Sequence, residues 1–126
     1  MGEVRPERVA GTGFPRYGDI YDVDLEPVVG SETGKRRPAL IVSNDINNEY
    51  TETVTVLPIT GQPAKREYPF EVFVPKGVAG LTSDSRIKAN QVRTLDKSRL
   101  VRLRGSLPPQ YLPKVERALK IHLNVK

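Results

Sequence analysis

The sequence predicts a mainly β domain: a small, twisted β-barrel of short strands with one C-terminal α-helix against it. Three observations lead there. Apolar residues between Tyr17 and Leu103 either alternate with polar ones or cluster in short β-branched blocks, as half-buried and fully buried strands do. Clusters of Gly, Pro, Asn and Asp separate the blocks at turn spacing. Helical spacing occurs only near the end, where Leu112, Val115, Leu119 and His122 share a stripe flanked by Ala118 and Leu123. Several short strands and a lone helix must cover one another, and a curled sheet does so with few open edges.

The elements follow in order. Residues 1–15 are rich in Gly, Pro and charge without periodicity and read as a flexible lead-in to a domain over residues 16–126. A first strand over residues 17–25 puts Tyr21, Val23 and Leu25 on one face and Ile20, Asp22 and Asp24 on the other. Pro27 and a loop over residues 30–38 come next. Residues 39–43 are short and apolar, as a strand buried on both faces should be, and residues 44–48 supply turn chemistry. A third strand over residues 53–59 is interrupted by Pro58, whose missing N–H places it at an edge, a bulge or a strand exit. Residues 70–74 form a fourth strand, residues 86–95 the longest later one, and residues 100–103 a short one before Gly105. Pro108, Pro109 and Pro113 crowd the start of the helix, where proline costs least, with Ser106 a candidate cap.

Composition bounds the function. At 126 residues the chain is one domain with room for a core that needs no staples. It has no cysteine, so disulfides, thiolate catalysis and thiolate zinc sites are excluded, and a cytoplasmic location fits. No apolar run is long enough for a membrane span. Twenty Lys and Arg against fifteen Asp and Glu give +5, which brings an anionic polymer into scope as a partner. The charge is uneven. Asp19, Asp22, Asp24 and Glu26 make the early segment acidic, whereas Arg86, Lys88, Arg93, Lys97, Arg99, Arg102 and Arg104 face only Asp96 in theirs. Such a run is either a solvated strand face or, beside Lys35, Arg36 and Arg37, a track for a polyanion.

The loop over residues 30–38 holds those three consecutive cations between Gly34 and Pro38, at the mouth of a buried strand. Its backbone is free on one side and supported on the other, which suits a phosphate ligand, with a turn carrying solvated cations as the plain alternative. It is not a P-loop: Gly30 and Gly34 enclose three residues rather than four, and Arg36 follows Lys35 where Ser or Thr is needed. His122 is the only histidine, so an acid–base pair of histidines is impossible within one chain, and packing or surface exposure accounts for it. Asp22 and Asp24 share a face, but no third metal ligand is evident. Arg, Thr, Ser, Gln and Asn remain. One reaction open to that set is RNA cleavage by the substrate's own 2′-hydroxyl, which asks the protein only to align the strand and stabilise charge on the phosphate.

Four ordered segments, "RYGDIYDVDLEPVVGSETG", "RRPALIVSNDINN", "VTVLPIT" and "IKANQVRTLDKSRL", resemble the MazF/PemK family of toxin endoribonucleases from type II toxin–antitoxin modules. The likeness runs from about Arg16 into the terminal helix. It implies an SH3-like barrel of the kind shared with the gyrase-poisoning CcdB toxins, and a homodimer. It also implies cleavage of single-stranded RNA, needing neither metal nor cofactor, to 2′,3′-cyclic phosphate and 5′-hydroxyl ends. The family's catalytic arginine, in the "RP" opening the second strand, corresponds to Arg37; its catalytic threonine, closing "PIT", corresponds to Thr60. Gln91 and Asn44 match positions near the RNA groove. Lys35, Arg36, Arg86 and Lys88 are candidates for tracking the RNA backbone, and Ser31 joins the RNA-binding set. The partner implied is a MazE-like antitoxin whose acidic C-terminal tail covers the same groove. The competing class is a non-catalytic, CcdB-like toxin acting on a protein such as gyrase, and a third is a barrel that merely binds RNA.

Overall fold

The computed structural model describes residues 13–64 and 66–126, so most of the expected lead-in lies outside the described residues. Strands β1 (Asp19–Asp24), β2 (Arg36–Ile41), β3 (Thr53–Thr60), β4 (Glu71–Val74), β5 (Ser85–Lys88), β6 (Arg93–Asp96) and β7 (Leu100–Ser106) form one antiparallel seven-stranded sheet in the order β4-β5-β3-β2-β1-β7. The sixth strand, β6, pairs with β3 beside that path. A short helix, α1 (Asp45–Tyr50), follows β2, and α2 (Leu112–Leu123) ends the fold. This is the mainly β arrangement with a C-terminal helix that the sequence predicts. Among the described residues no helix is long and apolar enough to cross a membrane.

The third strand, β3, is the spine. From Val54 it is buried at every position except Thr55, because both its faces are covered. Leu57 and Ile59 join Ile20, Leu40, Val72, Val74 and Ile87 in one core cluster, closed over by Val115 and Ala118 of α2. Val54 and Val56 join Val23, Leu25, Ala39, Ile41 and Leu95 in a second cluster on the other face. Strand alternation sorts neighbours between the two: Leu40 enters the first core, Ala39 and Ile41 the second. Pro58 sits opposite Ala39 on the β2 side. On the other side it falls in the gap between the β6 ladder, which ends at Val56, and the β5 ladder, which begins at Ile59. A missing N–H costs least there, so Pro58 marks a change of partner within a strand that runs on to Thr60, rather than the edge, bulge or strand exit expected of it.

Four further expectations need correction. The predicted turn at residues 44–48 is instead the start of α1: Asn44 caps it by accepting the Asn47 N–H at 2.8 Å. Buried Asn48 then stitches that helix to the chain before it, donating to the Ser43 carbonyl at 2.8 Å and accepting from the Ser43 hydroxyl at 2.5 Å. Asn side chains that favour turns also favour helix caps, and here the cap prevailed. The single long strand predicted for residues 86–95 is broken into β5 and β6 by a 3-10 turn at Ala89–Gln91, where β3 passes from one partner to the other. The last strand, β7, runs to Ser106, so Ser106 is no helix cap; its hydroxyl donates to buried Asp19 at 2.9 Å. The helix instead begins at Tyr111 without a side-chain cap, and His122 and Leu123 lie exposed at its far end rather than on the buried stripe.

Replacing the Asn44 cap by alanine should cost about 1 kcal/mol of stability. Urea denaturation of Asn44→Ala against the native chain measures it, and an unchanged midpoint would show the cap contact to be idle.

Candidate active site

Arg37 is the second residue of β2 and lies opposite Val23 of β1. Its Nε donates to the Gly34 carbonyl at 2.7 Å, which turns the side chain back over its own loop. The two terminal nitrogens of the guanidinium have no protein acceptor among the described residues. The fork is therefore held by its stem and left open at its tip, the geometry a bidentate oxyanion contact needs.

Thr60 closes β3. The β2–β3 ladder ends at the Ala39–Pro58 pair, and Arg37 and Thr60 each lie two residues beyond it, on the same strand faces as Ala39 and Pro58 by alternation. Opposite residues of an antiparallel pair share a face, so both emerge on the side of the second core cluster, at its open end. Thr60 is only 5 % exposed. Its Oγ1 accepts the Gln62 N–H at 3.2 Å, and its own O–H donates to no protein group among the described residues. A guanidinium fork and a hydroxyl donor thus extend from neighbouring strands anchored in one core.

The β1–β2 loop is tied down at several points. The Leu25 N–H donates to the Lys35 carbonyl at 3.0 Å, closing its neck. Lys35 adopts a left-handed backbone (φ 68°), so its N–H turns to the Glu26 carboxylate at 2.5 Å. Gly34 leaves room for that carboxylate: a Cβ there would meet it and come within 2.6 Å of Val28 Cγ2, so both side chains would have to shift. Higher up, Gln91 accepts the Thr33 N–H at 3.2 Å. Between the loop and the 3-10 turn lies an open cleft of about 590 Å³ lined by Pro27, Ser31, Glu32, Asn90, Gln91, Val92 and Arg93.

The structure divides the remaining sequence candidates. Ser31, Lys35 and Arg36 are exposed on the same loop as Arg37, and Gln91 is beside it. Asn44 is not: it lies beyond the opposite end of β2, occupied as a cap. Arg86 stands across from Thr60 but is engaged, with NH1 on Glu71 at 2.6 Å and NH2 on the Gln62 carbonyl at 2.9 Å. Lys88 lies half-buried opposite Glu71.

Most arginines of the basic run are engaged by protein groups, although the Arg102 side chain stays 67 % exposed. Arg102 and Arg104 share the Asp22 carboxylate at 2.9 and 2.6 Å, and Arg93 donates to the Leu25 carbonyl at 2.9 Å. Arg99 donates to the Asp24 carbonyl at 3.2 Å and to the Glu26 carbonyl. Sequence reasoning missed Glu26, Arg93 and Arg99 as loop supports, since nothing local marks a guanidinium that binds backbone some seventy residues away. Among the described residues no group of His, Cys, Asp or Glu is placed to hold a metal ion.

Burial, with help from Glu116, pushes the Tyr17 phenol up to about 12. Hydrogen bonds from Ser98 hold the Asp96 carboxyl below its ordinary range as it caps the turn that carries Arg99.

With this geometry in hand, known proteins can be compared. The sequence model of a family described as the PemK-like, MazF-like toxin of type II toxin–antitoxin systems matches residues 16–123. Endoribonuclease EndoA of Bacillus subtilis (strain 168) is 42 % identical over 108 residues, covering 86 % of this chain and 93 % of its own. The crystal structure of MazF (Form-I) from Deinococcus radiodurans superposes with a TM-score of 0.77 at 32 % identity, over 90 % of this chain and 99 % of that one. An endoribonuclease in complex with its cognate antitoxin, from a mycobacterial species, gives a TM-score of 0.73 at 28 % identity, covering 89 % and 97 %.

A methyl group at Gly34 should push Glu26 away and loosen the loop. Overpacking of this kind costs about 1–3 kcal/mol, and amide exchange at Lys35 in Gly34→Ala should accelerate accordingly. Native protection in that variant would mean the close approach carries no constraint.

Proposed function

The chain belongs to the PemK-like, MazF-like toxins of type II toxin–antitoxin systems, and from that premise we propose that it cleaves single-stranded RNA through Arg37 and Thr60. The observation that carries the reading is the Arg37 fork, held at Nε and open at its tip, on a strand whose neighbour ends in the buried hydroxyl of Thr60. It is a toxin endoribonuclease like the relatives it matches. A non-catalytic toxin would leave this pair without a task.

Chemistry limits what each residue does. An arginine stays protonated in water at any physiological pH, so it serves poorly as a base and well as a donor. The substrate's 2′-oxygen attacks the adjacent phosphorus, the P–O5′ bond breaks, and a 2′,3′-cyclic phosphate and a 5′-hydroxyl result. The 2′ proton passes to solvent. Arg37 pairs with the phosphate and gives a hydrogen bond or a proton to the departing 5′ oxygen, recovering it from water. Thr60 donates to a non-bridging oxygen, where charge grows in the transition state. The exposed cations Lys35 and Arg36 attract the backbone without reading bases. Ser31 and Gln91, which line the cleft beside the loop, would meet a splayed base.

The same surface suits the second partner. A MazE-like antitoxin with an acidic tail would exchange phosphates for carboxylates on Lys35, Arg36 and Arg37. Related toxins are known in MazE–MazF complexes. The active form is a homodimer in the cytoplasm. Exposed Ile121, Leu123 and Val125 at the end of α2 are apolar surface that a second copy would cover.

Single-turnover cleavage of a long RNA tests the site. Arg37→Lys keeps the charge but loses the planar fork, and should cut at least about 100-fold more slowly; near-native rates would remove the bidentate contact. Thr60→Val should fold normally and lose about 10–100-fold, whereas unchanged cleavage would take Thr60 out of the site. EDTA should leave the native rate untouched, and inhibition by it would call for a metal.

A further inference from the structure

The loop that carries Arg37 is governed from its base. In an unbroken ladder the Leu25–Lys35 pair would exchange two backbone hydrogen bonds. Only one forms, from the Leu25 N–H to the Lys35 carbonyl, because the Lys35 N–H has turned to Glu26. The orphaned Leu25 carbonyl is taken by Arg93. On the other side of the chain, β7 stops pairing with β1 at Val23, so the carbonyls of Asp24 and Glu26 have no strand to meet. Arg99 NH1 bridges both. Two guanidiniums thus continue, by side chain, a ladder that the backbone has abandoned.

The consequence reaches Arg37 through one rigid unit. The Lys35 N–H and the Gly34 carbonyl belong to the same planar peptide. Glu26 grips its N–H edge and Arg37 Nε grips its C=O edge. Any rotation of that plane that releases Glu26 also re-aims the guanidinium. A carboxylate so close to a phosphate site opposes RNA electrostatically, so its presence calls for a structural reason.

We propose that Glu26, Arg93 and Arg99 are positioning residues: they fix the Gly34–Lys35 peptide and thereby the direction in which the Arg37 fork points. The inference rests on the catalytic reading of Arg37. It reassigns Arg93 and Arg99 from contacting RNA to holding the chain that does.

The test separates aim from affinity. Cleavage is measured at saturating RNA in single turnover at a mapped site, and binding by anisotropy with an oligonucleotide 2′-deoxy at that site, across a salt series. Glu26 is exposed, so Glu26→Ala should fold; removing its charge should tighten RNA binding while the rate falls about tenfold or more. Arg99→Met should show the same rate loss with Kd within about threefold and an unchanged salt slope. Arg99→Lys, which can still donate to both carbonyls, should recover most of the rate. In an Arg37→Lys background, Glu26→Ala should cost less than about twofold further.

A salt slope lowered by about one in Arg99→Met, with a native rate at saturation, would make Arg99 a phosphate contact and overturn the proposal. Native rates in both Glu26→Ala and Arg99→Met, with Arg37→Lys inactive, would defeat the relay alone. A fully active Arg37→Lys would defeat the catalytic reading and the relay with it.

Discussion

Ala39 pairs with Pro58 across β2 and β3, and most of the molecule is arranged around that one register. Both strands are buried on both faces here, so a slip by one residue would merely exchange one apolar face for the other. Hydrophobic pattern alone specifies the pairing weakly. Pro58 removes the ambiguity, because its missing donor is tolerated where the ladders to β6 and β5 part, and a shifted proline would break one of them. Fixing Pro58 also fixes the ends. Arg37 and Thr60 then leave the core together, on one face.

Charge is organised by the same frame. A net +5 suggests a protein wrapped in cations, yet several of its arginines face inward. Arg102 and Arg104 converge on Asp22, and Arg86 is held by Glu71 in a pair whose members are 18 % and 8 % exposed. The cations left facing solvent near the site are Lys35 and Arg36, with the tip of Arg37. Exposed positive charge beside Arg37 is thus carried on its own loop, where it would draw a polyanion toward that residue.

What could be read from the sequence follows the range of the interactions involved. Strand faces obey a two-residue period, so the split of Ile20 from Val23 in β1 and from Leu25 just after it was legible, as was the double burial of residues 39–41. The candidate pair of Arg37 and Thr60 was legible through family resemblance, while their shared face needed the ladder register. The α1 helix was missed because Asn44 offers the same hydrogen bond to a turn and to a cap, and only the partners of Asn48 decide between them. The break at Ala89–Gln91 and the fate of the basic run depend on partners far along the chain. A run of arginines has one appearance in sequence whether it meets phosphate or backbone carbonyls.

The proposed mechanism, in which the substrate supplies its own hydroxyl, sets two opposed demands. The loop bearing the cations must admit a strand of RNA, which argues for mobility, whereas an oxyanion contact tolerates only about 0.5 Å of error. The two demands fall on different parts of the same loop. Ser31 and Glu32 stand out in solvent at its tip, while its neck is closed by Leu25, Glu26 and the arginines beneath. Glu26 is the compromise between them. Its carboxylate repels RNA, but a neutral amide there would hold the Lys35 N–H less firmly, since a charged acceptor makes the stronger hydrogen bond. Lys35 and Arg36, carried on the same turn, offset that repulsion at the point where it acts, so precision at Arg37 is gained without making the groove acidic.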